Sequence, residues 1–471
     1  MTLISKIGDY KYPNENKKIS DYVADIQKRI QQHPISDLTD SEGHQYVDLV
    51  LEGGGVLGIA LVGYTYALEQ AGIRFLNIAG TSAGAINALF LASLGQSHEP
   101  KSEKLLAVLD SMSMDKFVDG GLLAKALVKN IQQQDNFWIA MLPKIIGLGL
   151  IGKFSKTQLG INSGEAFEQW LEETLGKNFN TLDLLKKLEN KKNLLKIRDT
   201  NDRDDLAQDR TRLEHDFKHN ELAIIATDVS TESKIIFPRM AALYWTTPLT
   251  THPKHYVRAS MSIPLFFKPH VIEDIPRDKK PCWEKLTGFK GEAPQKAYFV
   301  DGGIVSNFPI DVFHQREFIP LCPTFGVKLG VDRQQAKNIN SISSYLSTLF
   351  DSARHTADYS FLHQNEDYQQ LITYINTAES NEYKFHWLDF NMNPDQKTAL
   401  FALGVKAAHN FIVTKQNTYQ QNDLNNHPDP IKTGFNWRAY KKVRKDIKVT
   451  LTDKQKQKLQ EIKRCSIQSL L

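Results

Sequence analysis

The sequence predicts an α/β fold: a mainly parallel sheet flanked by helices, with a helical part toward the C-terminus. Three observations carry this expectation. Tyr46-Val47-Asp48-Leu49-Val50-Leu51 is a compact apolar strand that leads through glycines into a helical run from Ile59 to Ala71. Arg74 to Ala79 is a second strand, again followed by a glycine turn and a helix, Ala83 to Leu94. Two strand–loop–helix units in succession read as βαβ connectivity, in which crossover helices cover strands that pair in parallel. Later apolar runs, Leu222 to Ala226, Lys234 to Phe237, Ala297 to Val300 and Gly326 to Leu329, supply further strands.

Taken in order, residues 1–46 read as a polar N-terminal extension with one modest helix. Val23, Ile26 and Ile30 share a face of it, Ser20 stands where a cap would be, and Pro34 follows its end. Gly72 and Gly95 stop the two helices of the βα units. The apolar segment from Phe137 to Ile151 contains Pro143, Gly147 and Gly149, which make a poor rigid helix. It fits either a buried helix pair or a flap over an active site. Residues 186–220 form a charged stretch without long apolar runs, read as a surface insertion. A long helical region is expected from Ser341 to Val413, and residues 413–471 form a polar, then basic, tail.

The 471 residues are 41% hydrophobic and 24% charged, which excludes a disordered or fibrous chain. The net charge of +4 is unevenly spread, because residues 432–464 carry twelve Lys and Arg against three acids. That basic stretch suits either a solvated helix face or contact with anionic lipid. No nucleic-acid partner is expected, since no recognition module or aromatic platform accompanies the charge. Cys282, Cys322 and Cys465 are far apart and lack CxxC spacing, so neither a disulfide nor a zinc site is expected. No apolar signal segment opens the chain and no run of 18 apolar residues occurs. A cytoplasmic protein, peripheral at membranes, is the expectation.

Two glycine clusters carry the chemistry. Gly53-Gly54-Gly55-Val56-Leu57-Gly58 matches the spacing of a dinucleotide loop. The second strand ends in Asn77-Ile78-Ala79-Gly80-Thr81, however, without the acid that a ribose would need. Gly80-Thr81-Ser82-Ala83-Gly84 is a G-x-S-x-G sequence where a strand turns into a helix. Such an elbow forces strained backbone on the serine, and flanking glycines leave room for it. The hydroxyl then projects at a helix N-terminus, where N–H groups favour developing negative charge. The glycine loop of the neighbouring strand would bring further N–H donors to the same point.

A nucleophilic serine needs a base. His314, His355, His363, His386 and His409 lie late enough in the chain, but none follows a convincing strand. Asp301, in Tyr298-Phe299-Val300-Asp301-Gly302-Gly303, stands at a strand end in a glycine turn and is the better candidate. Arg258 fits either an ion pair with an acid or a phosphate headgroup, and Asp228 reads as a turn residue.

Glu52-Gly53-Gly54-Gly55-Val56-Leu57-Gly58, then Gly80-Thr81-Ser82-Ala83-Gly84, then Asp301-Gly302-Gly303 resembles the patatin-like phospholipase family, in that order. The segment Val257 to Phe266, Asn307 with Pro309, and the stretch from Asn391 to Ala408 are similar to further family elements. The resemblance implies a patatin-like three-layer catalytic domain over residues 47–412. It further implies a lipid acyl ester as substrate, a Ser82–Asp301 dyad, no metal or other cofactor in catalysis, and an oxyanion site at Gly53, Gly54 and Gly55. Gly58, Gly80, Gly84, Gly302 and Gly303 would support those motifs. Many members carry Lys or Arg where this chain has Leu57, so any headgroup contact made by that cation is missing here. Three other readings remain: a Ser-His-Asp esterase on soluble esters, a membrane-damaging effector that needs an activator, and a catalytically silent lipid-binding scaffold.

Overall fold

The computed structural model describes residues 3–13, 15–96, 98–112, 117–120, 159–190, 195–198, 221–314, 319–330, 336, 338–339, 342–380, 383–414, 434–447 and 464–467. The 137–151 segment, most of the 186–220 insertion and residues 448–463 of the basic tail lie outside them.

Helices α1 (Leu3–Asp9) and α2 (Ile19–Gln32) precede strands β1 (Leu38–Thr39) and β2 (Gln45–Leu51). Then come α3 (Gly58–Gln70), β3 (Ile73–Thr81), α4 (Ala83–Ser93) and α5 (Ser102–Ser111). The middle of the chain adds β4 (Gly160–Asn162), α6 (Glu165–Leu175), α7 (Thr181–Asn190) and β5 (Lys196–Ile197). Next are β6 (Leu222–Asp228), β7 (Ser233–Phe237), α8 (Lys254–Ser260), β8 (Leu265–Phe267), β9 (His270–Glu273), α9 (Lys280–Thr287) and β10 (Lys296–Asp301). The described elements end with β11 (Thr324–Leu329), α10 (Ile342–Gln364), β12 (Ile372–Ile375), α11 (Pro394–His409) and α12 (Trp437–Ile447).

The main sheet has the order β12-β11-β2-β3-β6-β10-β9. Its first five strands are parallel neighbours, and β10 and β9 continue it antiparallel. The predicted mainly parallel sheet with flanking helices is therefore present. Every residue of β2, β3 and β6 is buried, as expected of parallel strands covered on both faces. Helix α4 is buried along its whole length, so it is a central helix, and its first turn is held rigidly behind Ser82.

Helices α3 and α11 pack backbone to backbone. A Cβ on Gly63 would stand 1.9 Å from the Phe401 carbonyl oxygen, and one on Gly404 would stand 1.9 Å from that of Ala60. Hydrogen in place of a side chain is what permits this contact, which anchors the helix after the glycine loop.

Four expectations change. Residues 1–46 do not stand apart: Ile19, Tyr22, Ile26 and Ile30 of α2 lie in the main core, and Tyr12 Oη donates to the Ala402 carbonyl at 2.7 Å. Helix α2 begins one residue before Ser20, and Asp21 rather than Ser20 accepts the Lys18 N–H at 2.7 Å. The Ser341 to Val413 region is two helices separated by β12, because the alternating Ile-Thr-Tyr-Ile segment adds a strand beside β11. Cysteine spacing misled as well, since Cys282 of α9 and Cys465 form a disulfide across 183 residues of sequence. The pairing depends on the terminal segment folding back, where the buried Ile467 donates its N–H to the Arg239 carbonyl at 2.9 Å.

Helix α10 docks on the turn after β10. Asp358 accepts from Ser306 Oγ at 2.8 Å and from the Phe308 N–H at 2.9 Å. Burial pushes its carboxyl up to about 6. An unfolded aspartate titrates near about 3.9, so between these values the folded state binds more protons and stability falls as pH rises. Wild type should lose up to about 3 kcal/mol relative to Asp358→Asn between about pH 4 and pH 7. Urea unfolding of both proteins across that range measures it, and a flat difference would mean that Asp358 titrates normally. The glycine contact gives a second expectation. Gly63→Val should lower unfolding free energy by about 3 kcal/mol through overpacking. Gly8→Ala in α1, with nothing within 4 Å, should be neutral or slightly stabilising in the same assay.

Candidate active site

Ser82 occupies the turn between β3 and α4 with φ 54° and ψ −118°, a left-handed conformation that a non-glycine residue adopts only under constraint. The constraint is crowding. A Cβ on Gly80 would meet the Gly84 carbonyl oxygen at 2.2 Å, and one on Gly84 would meet that of Leu51 at 2.3 Å. Glycine at both positions lets α4 start directly against the end of β2. Ser82 donates its N–H to Ser260 Oγ at 2.9 Å. Its hydroxyl donates to Met261 Sδ at 3.2 Å and stands near enough to Asp301 to act on that carboxyl.

Strand register explains how residues 219 positions apart meet. Thr81 is paired with Ile225 of β6, and Asp301 is paired with Ala226 on the same strand. Ser82 and Asp301 therefore stand at one level on either side of β6. Gly302 allows the close turn there, since a Cβ would lie 2.1 Å from the Ile225 carbonyl oxygen. Asp301 accepts the Gly303 N–H at 2.7 Å. Burial raises its carboxyl above the usual range, opposed by the Gly303 N–H, the Ser82 hydroxyl and the Arg354 charge.

The glycine loop is held by Asn307. The Gly53 N–H donates to the Asn307 carbonyl at 3.1 Å, and Asn307 Nδ2 donates back to the Gly53 carbonyl at 3.1 Å. Of the three amides expected to face an anion, that of Gly53 is thus spent inside the fold. The N–H groups of Gly54 and Gly55 have no partner among the described residues. Gly55 has φ 58°, and a Cβ there would strike the Trp387 carbonyl oxygen, which already accepts the Val56 N–H at 2.9 Å. Gly58 lets α3 start against α4, its Cβ position lying 3.2 Å from that of Ala83.

An apolar cleft opens beside Gly55 and Ala83, lined by Val56, Ile59, Ile86, Leu109, Met112 and Phe390. Among the described residues, neither Ser82 nor Asp301 meets a histidine. His314 is bonded to the Tyr368 hydroxyl at 2.9 Å, and His409 packs against the Tyr22 ring and Asp25. Arg258 is buried and donates to Ser262 Oγ and to the Ser163 and Lys268 carbonyls, so oxygens of the fold hold it rather than an acid or a headgroup. Asp228 accepts from Ser230 N–H, Thr231 Oγ1 and Tyr244 Oη, consistent with its turn role. In the basic tail, Arg444 is buried on Asp367 and Lys441 pairs with Asp37, so these two cations are engaged internally.

Glu168, His255 and His270 bring potential metal-ligating atoms within 4.8 Å of one another on α6, α8 and β9. Lys254 Nζ lies 3.6 Å from Glu168 and 3.2 Å from Glu172, and so already places a positive charge at that carboxylate. Sequence reasoning had no signal for the part played by Arg354, Asp358 or Trp387. Arg354 and Asp358 lie 53 and 57 residues beyond Asp301, and Trp387 lies 332 beyond Gly55, separations that no local spacing signals.

The chain is 28% identical over 376 residues to the uncharacterized protein YqhO of Bacillus subtilis (strain 168), a match covering 79% of this chain and all of that protein. The crystal structure of VipD from Legionella pneumophila aligns over 80% of this chain and 69% of that chain, with a TM-score of 0.36 and 17% identity. The family model for patatin-like phospholipase matches residues 49–314, which span both glycine clusters, Ser82 and the Asp301 turn. With more than half of its length matched in this way, the chain belongs to the patatin-like phospholipase family.

Proposed function

We propose that this protein is a lipid acyl hydrolase of phospholipase A type, acting on fatty-acyl esters of membrane glycerolipids through a Ser82–Asp301 dyad. The observation that carries the reading is the placement of a strained elbow serine and a buried carboxylate at the same level of the sheet, on either side of β6. Asp301 takes the hydroxyl proton as Ser82 Oγ attacks the ester carbonyl carbon. The oxyanion forms opposite the free N–H groups of Gly54 and Gly55. The bond to the alcohol breaks, Asp301 returns the proton to the departing oxygen, and an acyl-serine remains. Water then attacks that ester, passes a proton to Asp301, and Ser82 recovers it as the fatty acid leaves.

The buried site favours this exchange. Burial raises the Asp301 carboxyl and so strengthens it as a base for a hydroxyl proton. The cleft beside Gly55 and Ala83 offers aliphatic and aromatic walls to an acyl chain. Contact with a membrane surface belongs to the same proposal, since the substrate resides there.

Fatty-acid release from mixed phospholipid vesicles, without added metal, tests the reading. Ser82→Ala and Asp301→Asn should each lower the rate by at least about 10³-fold, as loss of a nucleophile or its partner does elsewhere. Retention of the rate by Asp301→Asn alone would refute the dyad and require another base.

A further inference from the structure

Arg354 lies on α10, 301 residues from the glycine loop, and its Nη2 donates to the Gly53 carbonyl at 3.3 Å. Its Nε is buried with no partner among the described residues, 3.6 Å from where a Cβ on Gly303 would stand. Among the described residues, no carboxylate forms an ion pair with it. The Gly53 carbonyl therefore has two side-chain donors, Arg354 and Asn307, one of them charged.

A trans peptide points its C=O and the following N–H in opposite directions. Two donors on the Gly53 oxygen therefore fix the direction of the Gly54 N–H, which has no partner among the described residues. A guanidinium on the oxygen also draws electron density from the amide, and this polarisation strengthens the N–H as a donor. We propose that Arg354 is a positioning residue that orients and polarises the Gly54 N–H as an oxyanion donor.

The inference rests on the acyl-hydrolase reading and deepens it. Arg354 touches no substrate in this role. Asp358, one turn along the same face of α10, grips Ser306 and Phe308 on either side of Asn307. Helix α10 thus reaches the Gly53 oxygen by two routes: directly through Arg354, and through the turn that carries Asn307.

The test uses the full chain with Arg354→Ala and Arg354→Lys, read by a medium-chain p-nitrophenyl ester and by labelling of Ser82 with a fluorophosphonate probe. Loss of a direct oxyanion donor costs about 10²–10³ in kcat, and an indirect one should cost less, about tenfold or somewhat more for Arg354→Ala. KM should change by less than about twofold, because the interaction strengthens only as charge develops. Added guanidinium chloride should restore several-fold of the lost rate to Arg354→Ala, whereas sodium chloride at equal ionic strength should not. Arg354→Lys should fall between wild type and Arg354→Ala. Wild-type rates in Arg354→Ala, or a loss that guanidinium fails to repair, would overturn the inference. Ser82→Ala in parallel separates the two levels. If it is still labelled and active, the nucleophile assignment fails; if it is dead while Arg354→Ala is normal, only the role of Arg354 fails.

Discussion

Close contact between the start of α4 and the end of β2 governs the arrangement of this protein, because the Gly84 Cα faces the Leu51 and Glu52 carbonyls with no room for a side chain. From that contact follow the strained backbone of Ser82, the approach of the glycine loop to the elbow, and the burial of the whole of α4. Strain of this kind costs of order 1–3 kcal/mol and persists only where surrounding structure over-determines it. Here the surroundings are a fully buried parallel sheet and a helix pair in backbone contact at Gly63 and Gly404.

The second organising feature is a buried polar assembly around Asn307. Asn307 closes a reciprocal pair with Gly53, Thr81 Oγ1 donates to the Ser306 carbonyl, and Asp358 accepts from Ser306 and Phe308. The ends of β2, β3 and β10 are thereby joined by hydrogen bonds in a region of low dielectric, where each bond is stronger and each unmet group is costly. Asp301 stands at the edge of this assembly with its proton affinity raised by burial and restrained by the donors around it. One packed unit sets both the position and the basicity of the carboxylate.

Much of this was legible in the chain. The run from Tyr46 to Ala92 showed its strands and helices because buried parallel strands and central helices need nearly unbroken apolar stretches. Ser82 showed because only small neighbours permit the elbow, and Asp301 showed because Gly302 and Gly303 mark a tight approach after an apolar strand. The antiparallel course of β10, the strand between α10 and α11, and the incorporation of α1 and α2 into the core were not legible. Short segments such as Ile372 to Ile375 take the conformation their neighbours in space offer, and sequence periodicity says little over four residues.

By itself, the sequence determined the α/β class, the elbow serine, the aspartate turn and the resemblance to patatin-like phospholipases. All of these are local: each rests on residues within one turn or one strand–helix junction, where sterics restrict which side chains fit. Only the tertiary structure decided which partners meet. It assigned the Gly53 N–H to Asn307, brought Arg354 to the Gly53 carbonyl, joined Cys282 to Cys465, and set Arg258 among carbonyl oxygens. Those pairings span from about 10 to about 300 positions in sequence and depend on the packing of whole elements, for which no short spacing of residues carries a signature.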